Sequence, residues 1–377
     1  MLMHRSMRWG LIAVGLLATN TMMAQTWVIG PWVRATNGPI IEPDKTASFT
    51  DPISKQQTFW EALHTFNPAS TIAPDGKVAV VFRAEDASGV AEIGGHVSRL
   101  GLAMSTNGLQ FTVQPAPVLY MANDAQKVNE YPGGVEDPRI VMAPGGTYVM
   151  TYTQYPRGNG PYRVGIATSK DLQTWTKWGP AFGLGSGYDT LMYKSAGILT
   201  ELHDGRLEAV KLHGKYWMYW GEIQVRLATS EDLIHWTPVV DAKTKEPEVV
   251  LAARAGHFDS AFPEVGPPPV LTKDGVVLIY NGKNSTEKGT ETLASDPKIA
   301  PGAYSVGEAL FSATEPGKLL GQTEKPVLTP TMPYEQSGQY VAGTTFSEGL
   351  VAFKGQWLLY YGAADSMVGV ARAEIAR

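Results

Sequence analysis

The chain has 377 residues, with 31 Lys and Arg against 36 Asp and Glu and a formal net charge of −5. This balance excludes the basic field that binding to nucleic acid or to an anionic membrane requires. The absence of cysteine excludes disulfides, thiol catalysis and thiolate metal sites, and the seven histidines show no paired spacing for a metal ion.

The first 24 residues have the pattern of a secretory signal peptide. A basic region at residues 4–8 precedes an apolar stretch at residues 9–18, which is too short to span a bilayer. Cleavage after Ala24 would leave residues 25–377 as the mature chain, with no segment inserted in a membrane. We expect an exported protein and, because no wall anchor accompanies the signal, a periplasmic one. A retained anchor is the alternative.

A pair of strands recurs five times in the mature chain. The glycine that leads the first strand of each pair is Gly76, Gly146, Gly214, Gly275 or Gly355. The second strands lie at residues 101–105, 165–169, 226–230, 307–311 and 369–371. A period of 60 to 80 residues built of strands indicates a radial or stacked array. Five four-stranded units of this size predict an all-β fold, a five-bladed β-propeller, that occupies residues 25–377 as a single domain.

Polar turns follow the second strand in the first three units. They contain Asn107-Gly108, Asp171 and Asp232, each followed by an aromatic residue, Phe111, Trp175 or Trp236. Such turns between apolar runs indicate hairpins. Since the aromatic residues recur at one place in each unit, we expect them to pack between neighbouring blades.

A polar residue precedes the glycine-led strand in every unit. These residues are Asn67, Asp137, Lys194, Glu264 and Glu348. In a propeller the innermost strands line a central funnel, so we expect these side chains to face one ligand site. Asn67 and Asp137 both lie nine residues before the glycine of their unit, which predicts equivalent positions in adjacent blades.

The acids of this set indicate glycoside cleavage. One carboxylic acid can protonate the leaving oxygen while another activates water on the opposite face of the sugar. A single acid would be better explained by a solvated turn or a structural hydrogen bond, but three acids at corresponding strand starts, beside Arg83, Arg99 and Arg139, favour a sugar site. Aromatic residues beside polar groups at strand ends, as in Trp220-Gly221-Glu222 and Tyr361-Gly362-Ala363-Ala364-Asp365, also suit carbohydrate.

At these residues the chain resembles glycoside hydrolase family 130, the β-mannoside phosphorylases and β-mannosidases. The matching segments are residues 66–69, 83–84, 98–103, 134–140, 266–269 and 361–365. The resemblance implies a five-bladed propeller that acts on a β-mannoside oligosaccharide without a metal or an organic cofactor. It also implies that Asp137, in Glu-Asp-Pro-Arg, is the general acid, acting directly or through a mannose hydroxyl. The implied sugar-binding residues are Asn67, Arg83, Arg99, Lys194 and Asp365.

Departures from the phosphorylase pattern favour hydrolysis. Phosphorylases need a cationic pocket for inorganic phosphate, and they usually carry Tyr-His-Gly where this chain has Tyr280-Asn281-Gly282. Glu222 and Glu264 replace basic and glycine-rich stretches, and would repel phosphate and supply a general base. Arg157, Arg163 and His257 remain candidates for a phosphate site.

The sequence therefore predicts an exported, inverting exo-β-mannosidase of the β-1,2-mannosidase type. Asp137 is the acid, Glu222 and Glu264 are the base candidates, and inverting geometry would separate acid and base by roughly 6.5–9.5 Å. Arg139, Asn281, Tyr340 and Glu348 complete the expected substrate-binding set. The alternatives are a phosphorylase of the same fold, another five-bladed glycosidase such as an arabinan-cleaving enzyme, and a glycan-binding propeller without catalysis.

Overall fold

The protein is described here from a computed structural model, whose described residues are 26–286 and 293–375. The signal peptide expected at residues 1–24 lies outside them. The described chain is all-β, as predicted, and contains one short helix, α1 (Lys127–Glu130), and one 3-10 turn (Pro333–Glu335). Within these residues no helix is both long and apolar enough to cross a membrane.

Short strands open the chain, and two units of four strands follow them. The opening strands are β1 (Val33–Arg34), β2 (Phe49–Thr50) and β3 (Gln57–Thr58). Unit 1 comprises β4 (His64–Ile72), β5 (Val78–Gly89), β6 (His96–Ser105) and β7 (Thr112–Val113). Unit 2 comprises β8 (Gly134–Ala143), β9 (Thr147–Tyr155), β10 (Arg163–Ser169) and β11 (Thr176–Pro180).

The remaining three units are less regular. Unit 3 runs through β12 (Ala196–Ile198), β13 (Thr200–His203), β14 (Arg206–Ala209), β15 (Lys211–Leu212), β16 (Lys215–Trp220), β17 (Val225–Ser230), β18 (Trp236–Pro238) and β19 (Val249–Leu251). Unit 4 comprises β20 (Phe262–Val265), β21 (Val270–Thr272), β22 (Gly275–Lys283), β23 (Tyr304–Phe311) and β24 (Leu319–Gln322). Unit 5 comprises β25 (Thr345–Phe353), β26 (Gln356–Ala363) and β27 (Met367–Glu374).

In units 1, 2, 4 and 5 the strands are antiparallel and paired mainly in chain order. In unit 3, β12, β16, β17 and β18 form an antiparallel sheet, whereas β13 and β14 pair in parallel with β21 of unit 4 and β8 of unit 2. The first strand of unit 4 is split into β20 and β21, because Pro267, Pro268 and Pro269 have no N–H to donate to a ladder. All ten segments of the predicted strand pairs are strands, namely β5 and β6, β9 and β10, β16 and β17, β22 and β23, and β26 and β27.

The turns that follow the second strands are built alike in the first three units. Ser105 Oγ donates to Asn107 Oδ1 at 3.0 Å, and the pairs Ser169–Asp171 and Ser230–Asp232 repeat this bond at 3.0 and 3.1 Å. The same acceptor oxygen receives two backbone N–H groups of the turn in each unit. The repeat seen in the sequence is therefore also a repeat of turn chemistry.

The hydrophobic core consists of five clusters, each of which lies between two neighbouring units. Strand alternation makes this possible, since Val80 belongs to one cluster and Val81 to another. The clusters join unit 1 to unit 2, unit 2 to unit 3, unit 3 to unit 4, unit 4 to unit 5, and unit 5 back to unit 1. Phe111 lies edge-on to Tyr360 of unit 5 at 5.8 Å, so this predicted packing between units is confirmed.

Strand β1 completes the sheet of unit 5 from the other end of the chain. Val33 and Arg34 pair with Arg372 and Ala371 of β27. The Arg34 guanidinium donates to both carboxylate oxygens of the buried Glu335, at 2.7 and 2.6 Å. This ion pair holds the N-terminal segment to the 3-10 turn, so the two ends of the chain support each other.

We predict that Arg34→Ala lowers the free energy of unfolding by about 3 kcal/mol, because it leaves the Glu335 carboxylate buried without its cation. Urea denaturation followed by tryptophan fluorescence measures the change. Lys77→Ala is the matched control, since Lys77 and Asp75 form an exposed pair at 2.8 Å whose removal should change stability by no more than about 1 kcal/mol. Equal effects of the two substitutions would contradict a stabilising role for Arg34.

Candidate active site

The first strands of the units are irregular at matching positions. Asn67 and Asp137 both have left-handed φ angles, of 46° and 48°, and the ladder register shifts at each of them. Ser195 has a φ of 56° next to β12, and the register of β25 shifts at Glu348. The predicted equivalence of Asn67 and Asp137 is confirmed by this shared bulge, which turns the side chains away from strict alternation.

Asp137 is held by residues of unit 1. Asn67 Nδ2 donates to Asp137 Oδ1 at 2.8 Å, and Arg83 Nη1 donates to the same oxygen at 3.2 Å. Strand β26 packs closely here, because a Cβ on Gly362 would lie 2.4 Å from Asn67 Oδ1. Burial would raise the pKa of Asp137, but the charges of Arg83, Lys194 and Arg139 outweigh it and hold the pKa below its usual value.

Glu136 shares the Arg83 guanidinium with Asp137. Arg83 Nη2 lies 2.9 Å from Glu136 Oε1 and 2.6 Å from Glu85 Oε1. Burial, opposed by Arg83 and reinforced by the charge of Asp137, raises the pKa of Glu136 to about 7. Glu136 was not among the predicted site residues, because regular alternation would place neighbours on opposite faces. The bulge at Asp137 brings both carboxylates to one cation.

Lys194 lies between two glutamates from different units. Its Nζ is 3.4 Å from Glu222 Oε2 and 3.6 Å from Glu264 Oε1. Tyr162 donates its hydroxyl hydrogen to Glu222, and Ser195 Oγ donates to Glu264 at 2.5 Å. The two predicted base candidates therefore face the same ammonium group, each with its own hydroxyl donor.

These three side chains differ in their exposure, and the pKa values of Lys194 and Glu264 are shifted. The side chains of Lys194 and Glu222 are 25% and 19% exposed, whereas that of Glu264 is buried. Burial raises the pKa of Glu264, with Lys194 opposing the shift and the charge of Glu222 adding to it. For Lys194, burial works against the charged form, but Glu264, Glu222 and Asp137 raise its pKa well above the usual value. Lys194 is thus a fixed cation whose charge the two glutamates balance.

A cavity of about 300 Å³, which we call the carboxylate cavity, is bordered by Lys194 and Glu222 of this cluster, whereas Glu264 and Asp137 lie outside its lining. Its lining residues are Arg83, Ile93, Gly94, Glu136, Thr153, Tyr155, Tyr162, Lys194 and Glu222. Asp365 approaches the same group of charges, and burial, opposed by Arg83 and reinforced by Asp137, raises its pKa to about 7.

An aromatic cluster from units 4 and 5 lies near Glu264 and Asp365, whose charges both act on the Tyr304 hydroxyl. The Tyr304 ring packs edge-on against Phe262, Tyr340 and Phe346, at centroid distances of 6.0, 5.4 and 5.5 Å. Tyr340, a predicted binding residue, donates to Gly302 O at 2.9 Å. Tyr304 was missed in the sequence because it lies outside the repeated motifs.

Three predicted binding residues lie deeper and have protein partners. Arg139 donates to the carbonyl oxygens of Gly266, Asp137 and Val265, at 3.0, 3.0 and 2.7 Å. Glu348 is buried 3.0 Å from Arg139 Nη2. Asn281 exchanges hydrogen bonds with Ser347 of unit 5. In this arrangement the three side chains join the units beneath the cavity, and their direct contact with substrate stays a prediction.

Arg99 lies on the other face of unit 1. It pairs with Ala84 in the β5–β6 ladder, one position from the pair of Arg83 and Leu100, so Arg83 and Arg99 point to opposite faces. Arg99 forms ion pairs with Asp51, at 3.0 Å, and with Asp86. The structure therefore does not bring Arg99 together with the carboxylate cluster.

The three candidates for a phosphate site have other partners. Arg157 donates to the carbonyl oxygens of Gly95 and His96, Arg163 donates to the Asp189 carbonyl, and His257 bonds to Glu324 at 2.9 Å. None of the three is among the residues that line the carboxylate cavity. In the described part of the chain, no group of three or more His, Asp or Glu side chains has the arrangement of a metal site.

The carboxylates of this site have pKa values that are shifted in opposite directions. Asp137 favours its ionised form, while Glu136, Glu264 and Asp365 have raised pKa values. Groups whose environments push their pKa values apart are suited to act as acid and base in one reaction.

Comparison with known proteins finds relatives that share the fold over nearly the whole chain. A solved structure of a putative glycosidase from Bacteroides thetaiotaomicron is 46% identical, with a TM-score of 0.86, and the match covers 92% of this chain and 97% of that one. Another is 44% identical with a TM-score of 0.88 over 94% of this chain and 98% of that one. It is described as showing that the mannoside phosphorylases of family 130 include glycoside hydrolases that target β-1,2 mannosidic linkages in Candida mannan.

A characterised relative is the 1,2-β-oligomannan phosphorylase of Thermoanaerobacter sp. It is 31% identical over 322 residues, which cover 85% of this chain and 93% of that protein. The profile of glycoside hydrolase family 130, described as β-1,4-mannooligosaccharide phosphorylase, matches residues 34–377. With the shared fold and the paired carboxylates, this match over nearly the whole chain shows that the protein belongs to glycoside hydrolase family 130.

Proposed function

We propose that this protein is an exported, inverting exo-β-mannosidase that releases mannose from β-1,2-linked mannosides. The observation that carries the proposal is the pair of glutamates around Lys194, at 3.4 and 3.6 Å. A phosphate ion would need an uncompensated cation at this point. Glu222 and Glu264 already balance the ammonium charge and would repel a second anion, whereas a water molecule meets no such repulsion.

The proposed fold is a five-bladed β-propeller formed by the single domain that begins at residue 25. It is supported by the five core clusters, whose order leads from unit 5 back to unit 1. It is also supported by the first strands, because β4 packs against both β8 and β25. In such a ring the bulges of the first strands face the central funnel. A crystal structure in which the five sheets do not surround one axis would overturn this arrangement.

In the proposed mechanism, Asp137 supplies the proton to the leaving oxygen, directly or through a substrate hydroxyl. In the site without substrate, the surrounding cations hold the pKa of Asp137 low. Asp137 must therefore take up a proton when substrate displaces the hydrogen-bond donors from its carboxylate. Glu136, with a pKa of about 7 and a shared contact to Arg83, can hold that proton beforehand. Glu264 deprotonates the attacking water, and Glu222 positions the water with Lys194. Attack from the face opposite the leaving group inverts the anomeric carbon.

The remaining predicted residues keep binding roles in this proposal. Asn67, Arg83 and Asp365 surround Asp137 and offer donors and acceptors for the hydroxyls of the terminal mannose. Tyr304 and Tyr340 provide ring faces for the C–H surfaces of a sugar. Similarity at 44% identity to a structure described with β-1,2-mannoside hydrolases supports the linkage.

Phosphorolysis by the same site is the second candidate. It is favoured by the characterised relative at 31% identity, which is a 1,2-β-oligomannan phosphorylase. The charge balance around Lys194 argues against it, because the site lacks an uncompensated cation. The two activities differ in one product, which makes them easy to separate.

Export is proposed from residues 1–24, which form the signal pattern, and the periplasm is the proposed compartment. Expression of the full chain in a Gram-negative host, followed by fractionation and N-terminal sequencing, tests this proposal. We expect periplasmic protein that begins at Gln25. Full-length protein in the cytoplasm would contradict it.

The first experiment measures the products formed from β-1,2-mannobiose with and without inorganic phosphate. We predict free mannose at the same rate in both conditions, with the α-anomer appearing first in proton NMR spectra because inversion of a β-mannoside gives α-mannose. Mannose 1-phosphate that forms only when phosphate is present would establish phosphorolysis instead. Binding without any product would indicate a glycan-binding protein.

The roles of the two glutamates are separated by Glu264→Gln and Glu222→Gln. We predict that Glu264→Gln lowers kcat by roughly 10²- to 10⁴-fold, the usual effect of losing a general base. In the unmodified enzyme, kcat/KM should fall as the pH drops through a pKa above the ordinary value for glutamate, because protonated Glu264 cannot accept a proton.

Glu222→Gln should retain measurable activity. In this variant, the fall of kcat/KM on the acidic side of the pH profile should occur at lower pH. The reason is that the charge of Glu222 raises the pKa of Glu264, so its removal lowers that pKa. Measurement of kcat/KM across the pH range checks both variants. If Glu222→Gln abolishes the reaction while Glu264→Gln leaves it intact, the two roles are reversed.

A further inference from the structure

A second and larger cavity lies beside the carboxylate cavity. It has a volume of about 910 Å³ and is formed by the N-terminal segment around β3, the end of β5 and the segment before β8. We call it the outer cavity. The β5–β6 loop, residues 90–95, separates the two, because Gly89 at the end of β5 lines the outer cavity whereas Gly94 of the loop lines the carboxylate cavity. The outer cavity is thus one loop away from the proposed site of bond cleavage.

The outer cavity has a buried polar group without a partner. Arg99, whose side chain is 4% exposed, lines it and is fixed by ion pairs to Asp51 and Asp86. Its Nε is buried and donates to no acceptor among the described residues. An unsatisfied buried donor is unfavourable by itself, but this atom is enclosed by protein and does not face the open cavity. Because Asp51 and Asp86 already compensate the guanidinium charge, a neutral ligand fits better than an anion.

The walls combine exposed aromatic rings with side-chain amides and hydroxyls. Phe59 and Tyr131 are 52% and 45% exposed, although aromatic rings usually gain stability from burial. The amide of Gln56 and the hydroxyl of Thr58 line the same space. Rings that cover sugar C–H faces, together with groups that bond to hydroxyls, are the features that recognise carbohydrate.

We propose that the outer cavity binds further mannosyl residues of the chain whose terminal mannose occupies the carboxylate cavity. The substrate would then cross the β5–β6 loop, where the exposed Ile93 lies, and place its distal sugars against Phe59 and Tyr131. This inference rests on the proposed function. It predicts a higher kcat/KM for long β-1,2-oligomannosides than for β-1,2-mannobiose.

The test compares kcat/KM for β-1,2-mannobiose with kcat/KM for a long β-1,2-oligomannoside, in the full mature protein. Phe59→Ala should lower the value for the long substrate by roughly 2- to 12-fold, as expected for the loss of one ring contact, and leave the value for mannobiose unchanged. Gln56→Ala, which removes an amide with no hydrogen bond from its side chain in the described protein, should act in the same direction.

Trp178→Ala is the matched control, since Trp178 is 53% exposed on β11 and lines neither cavity. It should leave both values unchanged. An unchanged ratio of the two substrates in both Phe59→Ala and Gln56→Ala would overturn the outer-cavity proposal, and so would an equal fall for both substrates. Neither result touches the proposed function, which depends only on turnover of mannobiose by the unmodified enzyme.

Discussion

The guanidinium of Arg139 is the interaction on which the site depends. It lies on β8, bonds to two carbonyl oxygens at the break between β20 and β21, and contacts the buried Glu348 of β25. Three units thus meet at one charged group that is almost fully buried. Removing either partner of such a pair would leave an uncompensated buried charge. The bond from Arg139 to the carbonyl of Asp137 also fixes the bulge that aims the proposed acid.

The rest of the site consists of charged side chains in which each cation contacts two or three carboxylates. Arg83 is shared by Glu85, Glu136 and Asp137, and Lys194 by Glu222 and Glu264. Such sharing keeps the cations charged and shifts the pKa values of Glu136 and Asp137 in opposite directions. A neutral sugar can replace some of these contacts with hydroxyl groups, whereas an added anion would disturb the balance. The proposed preference for water over phosphate rests on this arrangement.

Much of the architecture could be predicted from the sequence, because glycine-led strands and Asn or Asp turns encode it locally. The equivalence of Asn67 and Asp137 was visible as a constant distance from a glycine. Glu136 could not be found in this way, since only the left-handed backbone at Asp137 places it on the same side. Arg99 shows the reverse case. The sequence groups it with Arg83, but the alternation of side chains along β6 directs it to the outer cavity instead. Long-range pairing, as between Lys194 and Glu264, leaves no periodic signal.

The pairing of β1 with β27 has a consequence for how the chain matures. Arg34 and Ala371 are neighbours in one ladder although nearly the whole chain separates them. Contacts so distant in sequence form late and make folding slow, and this one cannot form until synthesis has reached the last strand. Strand β1 therefore has no ladder partner until the last strand of unit 5 has been made. A chain that is exported unfolded, as proposed above, would benefit from such a delay.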